Sequence, residues 1–208
     1  MSERGSSVLL ASGGLDSTTL AYWLRDRGIT FVPLFVDYGQ HCAVTEFNTL
    51  QAVIQPELRD RICRISVADI YRGTASRLIS EPDLWNDNME GDPLYLPYRN
   101  LLLLSIGAAF AQSHGHTVLY AAFINSNHAK EIDCSAEFLA RLGDMLADYG
   151  TVKVDMPFRE FSKTEVARIG LKLNVPITAT FSCQAASKIP CGACPNCVDR
   201  LNALKNLE

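Results

Sequence analysis

The apolar run Val8-Leu9-Leu10-Ala11 passes directly into Ser12-Gly13-Gly14-Leu15-Asp16-Ser17, and the amphipathic stretch Leu20-Ala21-Tyr22-Trp23-Leu24 follows. The order is that of a buried strand, a tight loop and a helix. Two adjacent glycines allow a left-handed backbone and a close approach by a ligand. The first turn of the following helix offers unpaired N–H groups at the positive end of its dipole. A polyphosphate suits such a loop. Ser12 and Ser17 add hydroxyl donors, whereas Asp16 would repel phosphate directly and makes sense as a ligand to a magnesium ion bridging the phosphates. The loop is neither the P-loop G-x-x-x-x-G-K-[ST], since no lysine follows the glycines, nor the dinucleotide pattern G-x-G-x-x-G.

The alternation continues. Arg27-Gly28 is a helix stop, Phe31-Val32-Pro33-Leu34-Phe35-Val36 reads as a second strand, and Asp37-Tyr38-Gly39-Gln40 stands at its end. Strand, helix and strand in about 30 residues make the βαβ unit of a parallel sheet, which collects ligands at the carboxyl ends of its strands. Asp37 is therefore expected beside the phosphate loop. A helix over 44–55, a strand over 62–67, a core helix over 101–112, a strand within 115–122, a helix over 135–149 and a last strand over 152–156 predict a doubly wound α/β fold. Ser162-Lys163-Thr164-Glu165 is a capping box that opens one more helix.

Periodicity fails between residues 72 and 98, where a long polar loop is expected, either a lid or a disordered segment. Two cations then sit at helix starts, against the dipole: Arg99 and Lys163. Each implies an anionic partner nearby. A second polar segment over 125–133 is expected at the same sheet edge.

Four of the seven cysteines crowd near the end as Cys183-x7-Cys191-x2-Cys194-x2-Cys197. Two-residue spacings suit thiolates converging on one tetrahedral ion better than a secreted disulfide framework, which also suggests a reducing, cytoplasmic setting. Cys42 and Cys63 read as small packing residues. With 208 residues and a net charge of −4, the chain can bury a sizeable core but lacks the basic surface that stable nucleic-acid binding requires. The longest apolar run, 101–111, is too short for the roughly 20 residues of a membrane span, and no targeting peptide is visible.

Ser-Gly-Gly-x-Asp-Ser after a strand is similar to the phosphate loop of the N-type ATP pyrophosphatases, the PP-loop superfamily. Four further stretches follow in order: Val36-Asp37-Tyr38-Gly39-Gln40, Tyr95-Leu96-Pro97-Tyr98-Arg99-Asn100, residues 157–165 with Ser162-Lys163, and Thr180-Phe181-Ser182-Cys183 with its Cys191-Gly192-x-Cys194-x2-Cys197-x2-Arg200 ending. Together they resemble the 7-cyano-7-deazaguanine synthase (QueC) family over nearly the whole chain. Two stretches depart from the family pattern. Tyr98 stands where a glycine is usual, and 131–138 keeps Asp133, Cys134, Glu137 and Phe138 but lacks the family's Tyr, Pro and Arg around them.

The resemblance implies an ATP pyrophosphatase domain over 1–178 and a zinc-binding segment over 179–208 packed on it. ATP would be bound by Ala11, Ser12, Gly13, Gly14, Leu15, Asp16, Ser17, Val36 and Asp37. Asp16, Arg99 and Lys163 are the expected catalytic residues, and Tyr38, Gln40, Arg99, Asn100, Asp133 and Cys134 the expected substrate contacts. Cys183, Cys191, Cys194 and Cys197 would hold zinc in a closed, structural site. The implied cofactors are ATP, magnesium and zinc. The implied reaction adenylates a 7-carboxy-7-deazaguanine carboxylate, lets ammonia displace AMP, and dehydrates the amide to the nitrile. Three other readings stay open: a QueC-like ligase that joins the carboxylate to a protein amine in a bacterial antiviral system, a tRNA-modifying enzyme of the same superfamily, and a non-enzymatic zinc-ribbon module. A homodimer is compatible with the sequence, which does not set the oligomeric state.

Overall fold

Strand β1 (Ser7–Leu10) sends successive side chains to opposite faces, and each face is covered: Val8 and Leu9 are both fully buried, in two different cores. That two-sided burial explains why the strand reads as a continuous apolar run rather than an alternation. A computed structural model describes residues 7–81, 94–124 and 134–207. Within it, α1 (Leu15–Asp26), β2 (Phe31–Asp37), α2 (Ala43–Val53) and β3 (Cys63–Ser66) follow β1, succeeded by α3 (Arg99–Ser113), β4 (Val118–Tyr120), α4 (Ala136–Tyr149), β5 (Lys153–Asp155), α5 (Lys163–Lys172) and α6 (Pro195–Lys205). Short 3-10 turns occupy Pro56–Arg61, Ala68–Tyr71 and Ile177–Ala179.

The five strands form one parallel sheet in the order β3-β2-β1-β4-β5. One core packs residues of α1, α2 and α5 (Leu20, Leu24, Leu50, Val166) with Leu9, Phe31 and Phe35 of the sheet and Phe158. The other packs α3 and α4 (Leu104, Ala108, Leu139, Leu142) with Val8, Leu34 and Leu119. This is the doubly wound architecture the alternation predicted. The chain's direction of travel reverses between β1 and β4, so a crevice opens at the carboxyl end of β1, where residues 11–14 lie.

Local signals explain the helix ends. Gly28 closes α1 with φ +68° and donates its N–H to the Arg25 carbonyl. The capping box at α5 is complete: Ser162 Oγ accepts from Glu165 N–H, and Glu165 Oε2 accepts from Ser162 N–H at 2.7 Å. At the start of α3, Tyr98 has φ +57°. The glycine usual at this position in the family thus has a physical reason, and tyrosine holds it at a conformational cost. Helix α6 has no counterpart among the elements read from the sequence. Cys194 is its N-cap and Pro195 its first residue, and it docks on α5 through Ala203 and Leu204 beside Ala167, Val175 and Ile177. Among the described residues no helix is long and apolar enough to cross a membrane. The expected polar segment at 125–133, and residues 82–93 of the expected loop, lie outside the described residues.

Candidate active site

A cavity of about 390 Å³ opens at the carboxyl end of the sheet, within the size range of small-molecule sites. One wall is the glycine loop. Gly14 is the N-cap of α1, Ser17 Oγ accepts the Ser12 N–H at 3.2 Å, and the Ser12 and Ser17 hydroxyls lie 3.2 Å apart. The loop is thereby pre-shaped with its donors converging, at little further ordering cost on binding. Gly13 has φ +76°, and a Cβ there would stand 2.7 Å from Leu50 N and 2.9 Å from the Glu46 carbonyl. Helix α2 is therefore pressed against the loop, an approach only glycine permits.

Lys163, first residue of α5, ion-pairs with Asp16 of α1. The anionic partner that its place at a helix start demanded is this carboxylate. Both side chains are mostly buried, at 17% and 21% exposure. The pair brings a cation and an acidic group to the phosphate loop from opposite ends of the chain. Asp16 Oδ1 is buried and accepts no hydrogen bond from any of the described residues. An orphaned carboxylate oxygen beside a phosphate loop fits a magnesium ligand.

Beyond the loop the cavity is also lined by Tyr38, Glu46, Arg99, Asn100 and Cys134, with Gln184 near the cysteine-rich segment. Asn100, 3% exposed, donates from Nδ2 to Cys134 Sγ at 2.9 Å. The Arg99 guanidinium lies close enough to the Tyr38 hydroxyl for its charge to act on it. Burial pushes the Tyr38 phenol far up despite that cation, so it stays protonated. Ala11, Ser12, Gly14, Leu15, Asp16, Ser17, Val36, Tyr38, Gln40, Arg99, Asn100, Cys134 and Lys163 all line this one cavity. Gly13 supports it from behind.

Asp37 is placed otherwise. The expectation set it beside the phosphate loop, but its carboxylate turns to β3, where Oδ2 pairs with Arg64 at 2.7 Å and Oδ1 accepts the Gly39 N–H at 3.0 Å. Val36 lines the cavity, whereas the Asp37 carboxylate is held by Arg64 of the neighbouring strand and by the Gly39 N–H. Asp133 lies outside the described residues. Glu46, Phe181, Ser182, Gln184, Asn196 and Asp199 also line the cavity without having been expected. Only the nearness of Phe181 and Ser182 to Cys183, and of Asn196 and Asp199 to the last cysteines, marked any of them in the sequence.

The four C-terminal cysteines meet. The Sγ atoms of Cys183, Cys191, Cys194 and Cys197 all lie within 4.8 Å of one another, close to the roughly 3.8 Å that a tetrahedron of about 2.3 Å zinc–sulfur bonds requires. Burial pushes the Cys183 and Cys197 thiols up. At Cys191 burial acts in the same sense, but N–H donors from Ala193 and Cys194 and the neighbouring thiols outweigh it, bringing the group down to about 7. Such N–H···S bonds, 3.2 Å from Cys194 N and 3.5 Å from Ala193 N, are the support a bound thiolate needs. The donor set fits zinc. Cys42 packs against the same cluster, 2% exposed.

A hydroxyl-bearing phosphate loop, a cavity continuing past Arg99 and a four-cysteine knuckle behind it sit in one chain whose residues 6–208 match the model of the family described as "Queuosine biosynthesis protein QueC". The chain belongs to the QueC family. Among its relatives, the 7-cyano-7-deazaguanine synthase of Caldicellulosiruptor bescii is 31% identical, over 97% of this chain and 93% of its own. That of Methanospirillum hungatei is 29% identical over 97% and 95%. Solved structures share the fold at much lower identity. A 4-thiouridine synthetase in complex with RNA and bound ATP superposes with TM-score 0.55 at 18% identity, over 98% of this chain and 52% of that one. The NMN synthetase of Francisella tularensis gives 0.52 at 14%, over 99% and 85%. This QueC-family chain thus has the PP-loop ATP pyrophosphatase fold.

Proposed function

We propose that this protein uses ATP to activate the carboxylate of a 7-carboxy-7-deazaguanine and passes the acyl group to ammonia, as a 7-cyano-7-deazaguanine synthase. The observation that carries the reading is the continuity of one cavity from the Ser12–Ser17 hydroxyls and the Asp16–Lys163 pair to Arg99, Tyr38 and Cys134. A nucleotide's phosphates suit the first end and a small carboxylate the second. A carboxylate is a poor electrophile because its leaving group would be oxide. In the reading proposed, its oxygen attacks the α-phosphorus and the bond to the β-phosphate breaks, releasing pyrophosphate and leaving an acyl adenylate. Ammonia then adds to the acyl carbon, the C–O bond to AMP breaks, and a proton is lost. A second ATP activates the amide oxygen in the same way, and loss of AMP and of both protons on the amide nitrogen leaves the nitrile.

The chain's residues contribute position and charge. The glycine loop and Ser12 and Ser17 hydroxyls bind the departing pyrophosphate, and Lys163 offsets its negative charge. Arg99 orients the carboxylate. Asp16, through Oδ1, would hold magnesium, which supplies charge neutralisation between phosphates. Cys183, Cys191, Cys194 and Cys197 would hold zinc. With four protein ligands that ion has no open position, so its contribution is a cross-link. The test is pyrophosphate release and product mass from protein given ATP, magnesium and 7-carboxy-7-deazaguanine, with and without ammonium. A nitrile with AMP is expected. Amide as the only product would redirect the reading to an amide-forming ligase, whose acceptor a protein amine could be. No turnover in protein that binds ATP would overturn the deazaguanine assignment.

A further inference from the structure

Glu46 enters the cavity from α2, and no step described above uses it. Its position is fixed by two neighbours. Gln40 Nε2 donates to Glu46 Oε2 at 2.9 Å, and Cys42 Sγ lies 3.4 Å from Oε1. Gln40 is itself locked. Its Oε1 accepts the Tyr38 N–H at 2.9 Å, and Nε2 also reaches the Val36 carbonyl at 3.4 Å. The amide orientation is set by those backbone partners, since only the nitrogen can face a carbonyl. Both Gln40 hydrogens are thereby taken, and at 4% exposure it serves to aim Glu46. The carboxylate keeps further acceptor positions beyond the two in use, because two carboxylate oxygens offer about four lone-pair sites.

The chemistry of this position is specific. Glu46 and Arg99 line the same cavity, and the Tyr38 phenol, which also lines it, feels the charges of both. A lone anion so close to a phosphate loop would oppose nucleotide binding, and burial already pushes the Glu46 carboxyl up. It is useful there if it meets hydrogen-bond donors. A planar heterocycle with a carboxylate at one edge and adjacent N–H donors at the other has the matching polarity: anion toward Arg99, donors toward Glu46. The lactam N–H and exocyclic amine of a guanine-type ring form such an edge, and a carboxylate takes both at once.

We infer that Glu46, aimed by Gln40, is the residue that selects the substrate's guanine-type edge, accepting hydrogen bonds from its ring N–H and exocyclic amine. This rests on the deazaguanine reading proposed above. The test compares 7-carboxy-7-deazaguanine with 7-carboxy-7-deazahypoxanthine, which lacks the exocyclic amine, by ATP-dependent pyrophosphate release. Loss of one donor from a site built around it is expected to lower kcat/KM on the order of 100-fold in the unmodified enzyme. Glu46→Gln, nearly isosteric, is expected to raise KM for the guanine compound by on the order of 100-fold without weakening ATP binding, and to shrink the preference between the two compounds to about 10-fold or less. Gln40→Met should move KM in the same direction while keeping part of the preference. Equal use of both compounds by the unmodified enzyme, or an undiminished preference in Glu46→Gln, would overturn the assignment while leaving the deazaguanine reading intact. Failure of the unmodified enzyme to use either compound would overturn both.

Discussion

Replacing Gly13 by alanine tests how tightly the phosphate loop and α2 are fitted together. Two costs add. The backbone at Gly13 is left-handed, φ +76°, which costs an alanine about 1 kcal/mol. Its Cβ would then lie 2.7 Å from Leu50 N, 2.9 Å from the Glu46 carbonyl and 3.1 Å from Leu50 Cα. All three atoms are helix backbone, so no side-chain rotation relieves them, and the helix must retreat by roughly 0.5–1 Å to restore ordinary contact distances. Overpacking of that kind costs about 1–3 kcal/mol, for a total of about 3 kcal/mol. Gly28 supplies the control. It too is left-handed, φ +68°, but a Cβ there meets nothing within 4 Å, so Gly28→Ala carries only the conformational term. Urea unfolding of the zinc-loaded protein separates the two, and with a slope of about 2–3 kcal/mol/M the Gly13 variant should lose about 1 M or more in midpoint and Gly28→Ala less than half of that. Equal losses in the two variants would refute the claim that α2 closes on the loop. Because α2 also carries Glu46, the Gly13 variant should bind ATP and the carboxylate more weakly even where it remains folded.

Three more outcomes follow from the geometry. Lys163→Met removes the cation at the phosphate loop and strands a mostly buried Asp16, so steady-state pyrophosphate release should fall by about 100-fold or more, with Lys163→Arg retaining part of it. Tyr98→Gly relieves the left-handed strain before α3 and should raise the stability measured by chemical unfolding by about 1 kcal/mol. Metal analysis should find one zinc per chain. Its removal by a strong chelator should expose the thiols of Cys183, Cys191, Cys194 and Cys197 to a thiol reagent and lower the melting temperature, and Cys194→Ser should not retain the ion.

The centre of the sheet was legible because β1 and β2 are buried on both faces and so appear as nearly uninterrupted apolar runs whose meaning does not depend on distant residues. Motifs whose geometry is local were legible for the same reason: the glycine loop, the Ser162 capping box and the cysteine spacings. What escaped was set by contacts far apart in the sequence. The Asp37 carboxylate is claimed by Arg64, which the parallel register of β2 with β3 sets beside it, Phe35 opposite Arg64 and Asp37 opposite Ser66. Glu46 lies between Thr45 and Asn48 on a helix whose polar positions look like a solvated face, and it lines the cavity where Gly13 lets α2 come so near. Helix α6 carries too weak an apolar pattern to be read as a helix. Its first turn is fixed by Cys194 and Cys197 within the cysteine cluster and by Pro195 at its start.

The C-terminal segment is wired into the glycine-loop side of the cavity, so a metal held by the four cysteines would act on that loop. Phe181, two residues before the first cysteine of the cluster, donates its N–H to the Gly13 carbonyl at 3.1 Å. Beyond the last cysteine, Arg200 of α6 returns to bond Thr180 Oγ1, the Ile177 carbonyl and, at 3.5 Å, Ser182 Oγ. The segment is thus clamped on both sides of the cysteines, and between the clamps Pro195, Asn196 and Asp199 form part of the cavity wall. His41 and Thr45, flanking the Cys42 N-cap of α2, hold the Gln184 and Ser187 carbonyls, tying the cysteine-rich loop to the helix that presents Glu46. A cross-link among the four thiolates therefore acts on the position of Gly13 and of α2 together. The same displacement that loosens the cysteines moves the phosphate loop and the carboxylate facing it, so the order of the cysteine cluster and the precision of the cavity rise and fall as one.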